Sequence, residues 1–446
     1  MFRRTVLFLL TLSFVFPAFA QFEGEGVFAL LGYSSQRLAF HSYSGETVDF
    51  GALPSTAVRL RSFDGKLCVL AGDDIASGEG SGLHIASFEE IKAAYDEERA
   101  INWEVIDLPD NTNPYDVVYA EGHLFISNQQ SNEVVVLDPS NDYQQIASFS
   151  NLPNPQGLAF NGTYVAVANS GYGDGNTVTF LQASPVDSIT TLEIWTNPQE
   201  IAVDDQGRFH ITCSGKSWSD PPIPAKAAIV DFSMDEPLRP YLDLAGNPGE
   251  ISFMTGPEDF GGKIVLGDEY ATNDPHISAY TVPAYTMDTT VPEETGGGWA
   301  LASGFGGIFI GSSTTNSLVF VGYDWSGYLV ITTFDQPVAD LLCYDAGTHS
   351  TVAENSARPL TPELSEAWPN PFNASTSLTL TLPATSHVRI ELFNTLGRSA
   401  GVIQEGTLTA GAHRISLDAS SLSSGRYFLR ASSRTGSAIQ AVTLVR

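Results

Sequence analysis

The sequence predicts an all-β chain in two parts, a six- or seven-bladed β-propeller followed by a small antiparallel β-sandwich. Three observations carry this. A proline-led segment recurs through the middle of the chain, the 3.6-residue apolar period of helices is nearly absent, and the charge changes sign near residue 350. Residues 1–350 hold 13 Lys and Arg against 45 Asp and Glu, while residues 351–446 hold 8 against 6. Such a break marks a domain boundary.

The N-terminus reads as a secretory signal. Arg3 and Arg4 supply its positive end and Val6 to Phe16 an apolar core too short for a membrane span. Ala18 and Ala20 place small residues for cleavage before Gln21, so residues 1–20 are expected to be removed. No later stretch is apolar and long enough to cross a bilayer, so no transmembrane segment is expected after signal removal. The acidic excess, part of a net charge of −30, repels nucleic acid and anionic lipid. Cys68, Cys213 and Cys343 each sit in an apolar strand-like run, where free, buried thiols are expected rather than a disulfide framework.

Residues 21–345 form the propeller region. Asn113-Pro114-Tyr115-Asp116-Val117-Val118 recurs as Asn154-Pro155-Gln156-Gly157-Leu158-Ala159, as Asn197-Pro198-Gln199-Glu200-Ile201-Ala202, and more loosely as Asn247-Pro248-Gly249-Glu250-Ile251-Ser252. The prolines lie 41, 43 and 50 residues apart. Proline cannot continue a sheet ladder, so each marks the entry to a strand. A glycine-containing turn and two further strands follow, a pattern that suits one blade of about 40 residues. An earlier copy starts near Pro54, and a sixth blade is expected near Gly304 to Ile308. Residues 27–50 and 318–345 supply strands to close the ring, which favours seven blades. Ser87 to Ala100 reads as a short amphipathic helix, and Ser214 to Ala225 as an exposed loop whose Trp218 packs onto the blade edge or, as the alternative, serves as a binding element.

Tyr164-Val165-Ala166-Val167-Ala168-Asn169 with Gly175-Asn176-Thr177-Val178, and Leu124-Phe125-Ile126-Ser127-Asn128 with Ser131 to Val136, resemble YVTN/NHL propeller repeats. The resemblance spans roughly residues 50–345 and implies a propeller without implying a function.

Residues 346–364 turn polar, with Pro359 and Pro362 stiffening the end, as in a linker. Residues 365–446 then alternate as strands at Ser377–Leu382, Val388–Phe393, His413–Leu417 and Tyr427–Ala431, with Gly397, Gly411 and Gly425 at the turns, the pattern of an immunoglobulin-like β-sandwich. Trp368-Pro369-Asn370-Pro371-Phe372-Asn373, Val388 to Arg398 with Leu396-Gly397, Leu408 to His413 with Gly411, and Leu422 to Phe428 with Gly425 and Tyr427 resemble the type A C-terminal sorting domain of type IX secretion cargo. The resemblance implies handling by the type IX secretion machinery, passage across an outer membrane, removal of the domain, and surface attachment or release.

No nucleophile elbow, zinc-binding helix motif, phosphate loop or EF-hand consensus occurs, and no catalytic residue is assigned. The repeat alignment does give one constellation. Asp116, Gly157, Glu200 and Glu250 all stand two residues after a blade-opening proline, so three carboxylates are expected to converge at the propeller axis. Converging oxygen ligands suit Ca²⁺ or another hard cation. A rival register at Pro257-Glu258 competes for the Glu250 position. The expected function is a secreted or cell-surface binding or scaffold propeller whose extracellular ligand or protein partner the residues do not name. The alternative is a metal-dependent hydrolase or lactonase with an acidic axial site, similar in architecture to the regucalcin-like lactonases.

Overall fold

The computed structural model describes residues 25–445 apart from 33–35, 43–44, 54–55, 73–79, 98, 235, 245–247, 256–261, 269–276, 283, 289–297, 299, 306, 313–314, 323–327, 346–362, 365–371, 374, 383–385, 395–398, 409–410, 420–421, 423–424 and 434–435. The signal segment with Ala18 and Ala20, the linker to residue 362, Pro257-Glu258 and the sorting-motif residues Pro369, Asn370, Pro371, Leu396 and Gly397 lie outside the described residues.

Seven four-stranded antiparallel sheets build the propeller. Their first strands are Val338–Asp345 (blade 1), Thr56–Phe63 (blade 2), Pro114–Ala120 (blade 3), Pro155–Phe160 (blade 4), Pro198–Val203 (blade 5), Pro248–Thr255 (blade 6) and Ala300–Gly304 (blade 7). Each first strand touches the first strands of both neighbouring blades, so the seven line the axis in a closed ring. Blade 1 seals that ring. Its other three strands come from the N-terminal side, and Glu25–Leu31 pairs antiparallel with Val338–Asp345, Val27 opposite Cys343. The sixth repeat begins earlier than its glycines suggest. Blade 7 opens at Ala300, and Gly304 to Ile308 spans the turn into its second strand.

The strand sequences follow from burial on both faces. Val117 packs in the seam towards blade 2, while its neighbour Val118 packs in the seam towards blade 4. A blade covered on both sides needs apolar residues in succession, which is why Val134 to Leu137 does not alternate with polar residues. Each of the seven seams holds its own apolar cluster. Cys68, Cys213 and Cys343 are buried in these seams as free thiols. Burial pushes the Cys213 and Cys343 thiols far up from the ordinary thiol range, so both stay protonated and unreactive.

The expected helix spans Phe88–Asp96. Ser87 caps it, its Oγ accepting from the Glu90 N–H at 3.1 Å. Ile91 and Ala94 are buried against blades 1 and 2, and the Phe88 ring stacks on Tyr344 with centroids 3.8 Å apart.

The C-terminal module is two antiparallel sheets around one core. The three-stranded sheet joins Glu363–Leu364, Ser375–Leu382 and Gly411–Asp418. The four-stranded sheet orders Ser399–Leu408, Ser386–Asn394, Gly425–Ser433 and Gly436–Leu444. Leu378, Leu380 and Ile415 of the first meet Ile390, Tyr427 and Leu429 of the second. Gly411 and Gly425 open strands. Buried Phe372 bonds the last strand, its N–H donating to Thr443 O and its carbonyl accepting from Val445 N, both at 2.9 Å. The motif at the start of the module is thereby tied to its final strand.

Candidate functional site: the axial cluster and the loop face above it

The repeat that places a carboxylate after each proline also contains a β-bulge. The ladder slips between Pro114 and Asp116 in blade 3, between Pro198 and Ile201 in blade 5, and between Pro248 and Ile251 in blade 6. A bulge re-aims the side chain next to it. Asp116, Glu200 and Glu250 consequently come together at the axis, and they meet on two arginines that the repeat pattern does not include.

Arg59, on the first strand of blade 2, is the hub. Its Nη2 donates to Glu200 Oε1, its Nη1 donates to Glu250 Oε2 at 2.9 Å, and its Nε stands 4.0 Å from Asp116 Oδ1. Its guanidinium carbon lies 4.8 Å from the centre of the Tyr115 ring, and the Tyr115 hydroxyl donates to Glu200 Oε1 at 2.6 Å. Arg61 Nη2 donates to Asp116 Oδ1 at 2.7 Å, and its Nη1 stands 3.6 Å from Asp340 Oδ2. Room for the Glu200 carboxylate comes from Gly157, where a Cβ would lie 2.6 Å from Glu200 Oε2. That explains why blade 4 breaks the acidic series.

Asp116 and Asp340 are also fasteners between blades. Asp116 accepts from its neighbour Val117 N and, across the seam, from Leu158 N of blade 4, both at 2.9 Å. Asp340 repeats the arrangement one seam before blade 2, accepting from Leu341 N at 2.9 Å and from Leu60 N at 2.6 Å. Charge-assisted bonds of this kind are among the stronger hydrogen bonds in proteins.

Four carboxyl groups thus share two guanidiniums, and the titrations reflect the imbalance. Burial pushes Glu250 up to about 8, and Arg59 only partly offsets it. Burial likewise raises Glu200 against the pull of Arg59, and raises Asp340 against Arg61. Burial alone would lower Arg59, yet Glu200 and Glu250 outweigh it and hold the guanidinium charged. Among the described residues, no group of three or more His, Cys, Asp or Glu side chains is arranged to hold a metal ion.

Sequence reasoning missed Arg59, Arg61, Tyr115 and Asp340. Asp340 carried a partial signal: Leu341-Leu342 follow it as Val117-Val118 follow Asp116, but Pro337 stands three residues before it where Pro114 stands two before Asp116. Arg59 and Arg61 were legible only as two cations in the first strand of a blade, in a region with 13 Lys and Arg.

Above the cluster the blade-opening asparagines turn the chain. Asn113, Asn154 and Asn197 have φ of 47°, 46° and 59°, a left-handed conformation that asparagine tolerates better than most residues. The side chains of Asn113 and Asn154 end an amide chain along the face. Asn113 Nδ2 donates to Gln129 Oε1 and Gln129 Nε2 to Gln156 Oε1, both at 2.8 Å, and Gln156 Nε2 donates to Asn154 Oδ1 at 2.7 Å.

On the same face two loops rise over blades 4 and 5. The Gly171–Gly173 turn carries Tyr172, and the loop after Cys213 carries Trp218; both side chains are 69% exposed. The expectation that Trp218 packs its loop down is corrected in part. Its ring does lie on blade 4, where a Cβ on Gly173 would be 2.9 Å from Trp218 Cζ2, but most of the ring faces solvent. Lys216 pairs with Asp174 between the two loops, Lys216 and Ile223 close the longer loop with reciprocal backbone bonds of 2.9 and 3.0 Å, and the Tyr172 hydroxyl donates to Gln129 O at 3.2 Å.

Residues 366–444 match the family model of the secretion system C-terminal sorting domain. The tail is a secretion sorting domain. The type IX machinery that reads such a tail handles this chain, and the protein is exported to the cell surface or secreted. Among the described residues no helix is long and apolar enough to cross a membrane. No curated protein matches the chain. Among solved structures, a putative 6-phosphogluconolactonase from Bacteroides fragilis is 8% identical over 74% of this chain and 100% of its own, with a TM-score of 0.53. PorZ, a surface component of the type IX secretion system of Porphyromonas gingivalis, is 13% identical, with a TM-score of 0.42. The match covers 93% of this chain and 64% of PorZ, so the chain spans less than two thirds of PorZ's length. Virginiamycin B lyase from Staphylococcus aureus is 11% identical over 63% of this chain and 84% of its own, with a TM-score of 0.46. At such identities the likeness is one of fold, the β-propeller.

Proposed function

We propose that this chain is an exported binding propeller, built of YVTN/NHL-type repeats, that engages an extracellular ligand through the loop face of blades 3 to 5. A signal peptide ending at Ala20 starts its export and the tail completes it. One observation carries the reading: Tyr172 and Trp218 stand exposed on loops that an ion pair and backbone bonds hold in place. Rigid, exposed aromatic side chains bind with little ordering cost, and tryptophan and tyrosine are enriched where binding energy concentrates. The test uses the full-length protein, fluorescently labelled, and envelope material from producing cells that lack it. Wild type should bind; a Tyr172→Ala, Trp218→Ala double variant should not, while keeping its melting temperature. Equal binding by both proteins would overturn the reading.

The convergence of Asp116, Glu200 and Glu250 keeps a second reading in play, the metal-dependent hydrolase or lactonase with Ca²⁺ at the axis. Against it, Arg59 and Arg61 already supply the counter-charge between those carboxylates. Millimolar Ca²⁺ should shift the melting temperature equally in wild type and Glu200→Gln. A rise relative to chelator that Glu200→Gln abolishes would restore the metal reading, since binding to the native state alone adds stability by mass action.

A further inference from the structure

We infer that the ligand of this loop face is an uncharged polysaccharide, laid across Tyr172 and Trp218; this rests on the loop-face reading above. The face differs in chemistry from the rest of the propeller. Its segments 128–132, 151–156, 169–176, 196–199 and 214–225 make 35 residues with three charges, Asp174, Lys216 and Asp220. Residues 1–350 as a whole carry 13 Lys and Arg and 45 Asp and Glu. Asp174 and Lys216 neutralise each other, which leaves Asp220 in these segments, and Asp110 beside the opening of blade 3, as the uncompensated charges. A charged partner would find little here to recognise.

The apolar content is equally selective. The large hydrophobic side chains exposed in these segments are the two rings alone; no Leu, Ile, Val or Met of the five segments joins them. A protein partner is usually met by a contiguous apolar patch core that excludes water around its anchors. Two exposed rings among polar groups present something else. An aromatic face takes the C–H side of a sugar ring, and amide groups, each both donor and acceptor, take its hydroxyls. Beside Tyr172 stands the Gln129 backbone carbonyl, which accepts from the Tyr172 hydroxyl, and the exposed Asn176 side chain follows in the same segment. The Trp218 ring lies against Gly173, the residue after Tyr172, so a glycan chain laid on one ring runs on to the other.

Affinity electrophoresis of the full-length protein in native gels tests this, with dissolved mannan, β-1,3-glucan, xylan or galactomannan as the probe. At least one neutral polysaccharide should retard wild type. Trp218→Ala and Tyr172→Ala should each weaken that interaction by about tenfold or more. Tyr172→Phe, which keeps the ring, should retain it, as should Leu329→Ala, an exposed residue of blade 7. Failure of every neutral glycan to retard wild type would overturn the inference. So would envelope binding that depends on Trp218 but is destroyed by protease and survives periodate, which cleaves the vicinal diols of sugars. That second result would keep the loop-face reading and replace the glycan with a protein. Retardation that Trp218→Ala and Tyr172→Ala leave unchanged would overturn both.

Discussion

The axis of the propeller and the loops above blades 4 and 5 share one face, yet they handle chemistry in opposite ways. At the axis, Arg59, Asp116, Glu200 and Asp340 are buried and Arg61 and Glu250 half-buried, and they spend their bonds on one another and on backbone N–H groups of neighbouring blades. On the loops, two aromatic rings that ordinary packing would bury are held in solvent. A cluster of conspicuous charged residues need not be a site, because its bonding capacity can be taken up within the fold. The loop face is less conspicuous in sequence, but it leaves its binding surface unspent.

The largest test of that contrast is Arg59→Met. It leaves Glu200 and Glu250 buried without their shared cation, and loss of one partner of a buried ion pair costs about 3–5 kcal/mol. Chemical denaturation should show the propeller transition moving to lower denaturant by that amount; an unchanged midpoint would mean that the arginine is not the hub. Asp116→Asn and Asp340→Asn should each cost about 1–3 kcal/mol, the range for weakening a buried bond to a charged group. They fasten different seams but both face Arg61, so the double variant should cost more than either single one without strict addition, and a double variant no worse than either single one would refute the repeated fastener.

The pH dependence is a finer test. Glu250 titrates near 8 in the folded protein and near 4.5 when unfolded. Between those values the native state holds the extra proton. The stability this carboxyl contributes is therefore fully present below about 4.5 and is lost as pH rises through about 8, at no more than about 1.4 kcal/mol per pH unit for one proton. Melting temperatures from pH 5 to 9 should fall less steeply in Glu250→Gln than in wild type; identical slopes would show that Glu250 titrates normally. The smallest effect is expected at the other end of the comparison. Trp218→Ala should change stability by less than about 0.5 kcal/mol, because most of the ring faces solvent, while removing the proposed binding. A large loss of stability there would turn Trp218 into a packing residue.

What was legible beforehand divides along physical lines. The proline-led repeat, the free thiols and the helix at Phe88–Asp96 were all readable, because each depends on local chain properties: proline's missing donor and apolar continuity. The meeting of Asp116, Glu200 and Glu250 was readable as well, because a repeat puts equivalent residues at equivalent radii. The residues between them were not. Arg59 and Arg61 belong to a copy whose opening at Thr56 lacks the Asn-Pro signature, and nothing local says that they reach 55 to 191 residues along the chain to Asp116 and Glu250.

The sequence by itself determined an exported, acidic chain of repeated blades with a sorting tail, since length, period and composition suffice for that. The tertiary structure alone decided how the ring closes, with Glu25–Leu31 pairing against Val338–Asp345 across the whole propeller. It alone decided that the axial carboxylates meet arginines and that Trp218 rests on Gly173 with its ring in solvent. Each of these joins residues that are distant in the chain, and only the closed ring brings them within bonding distance.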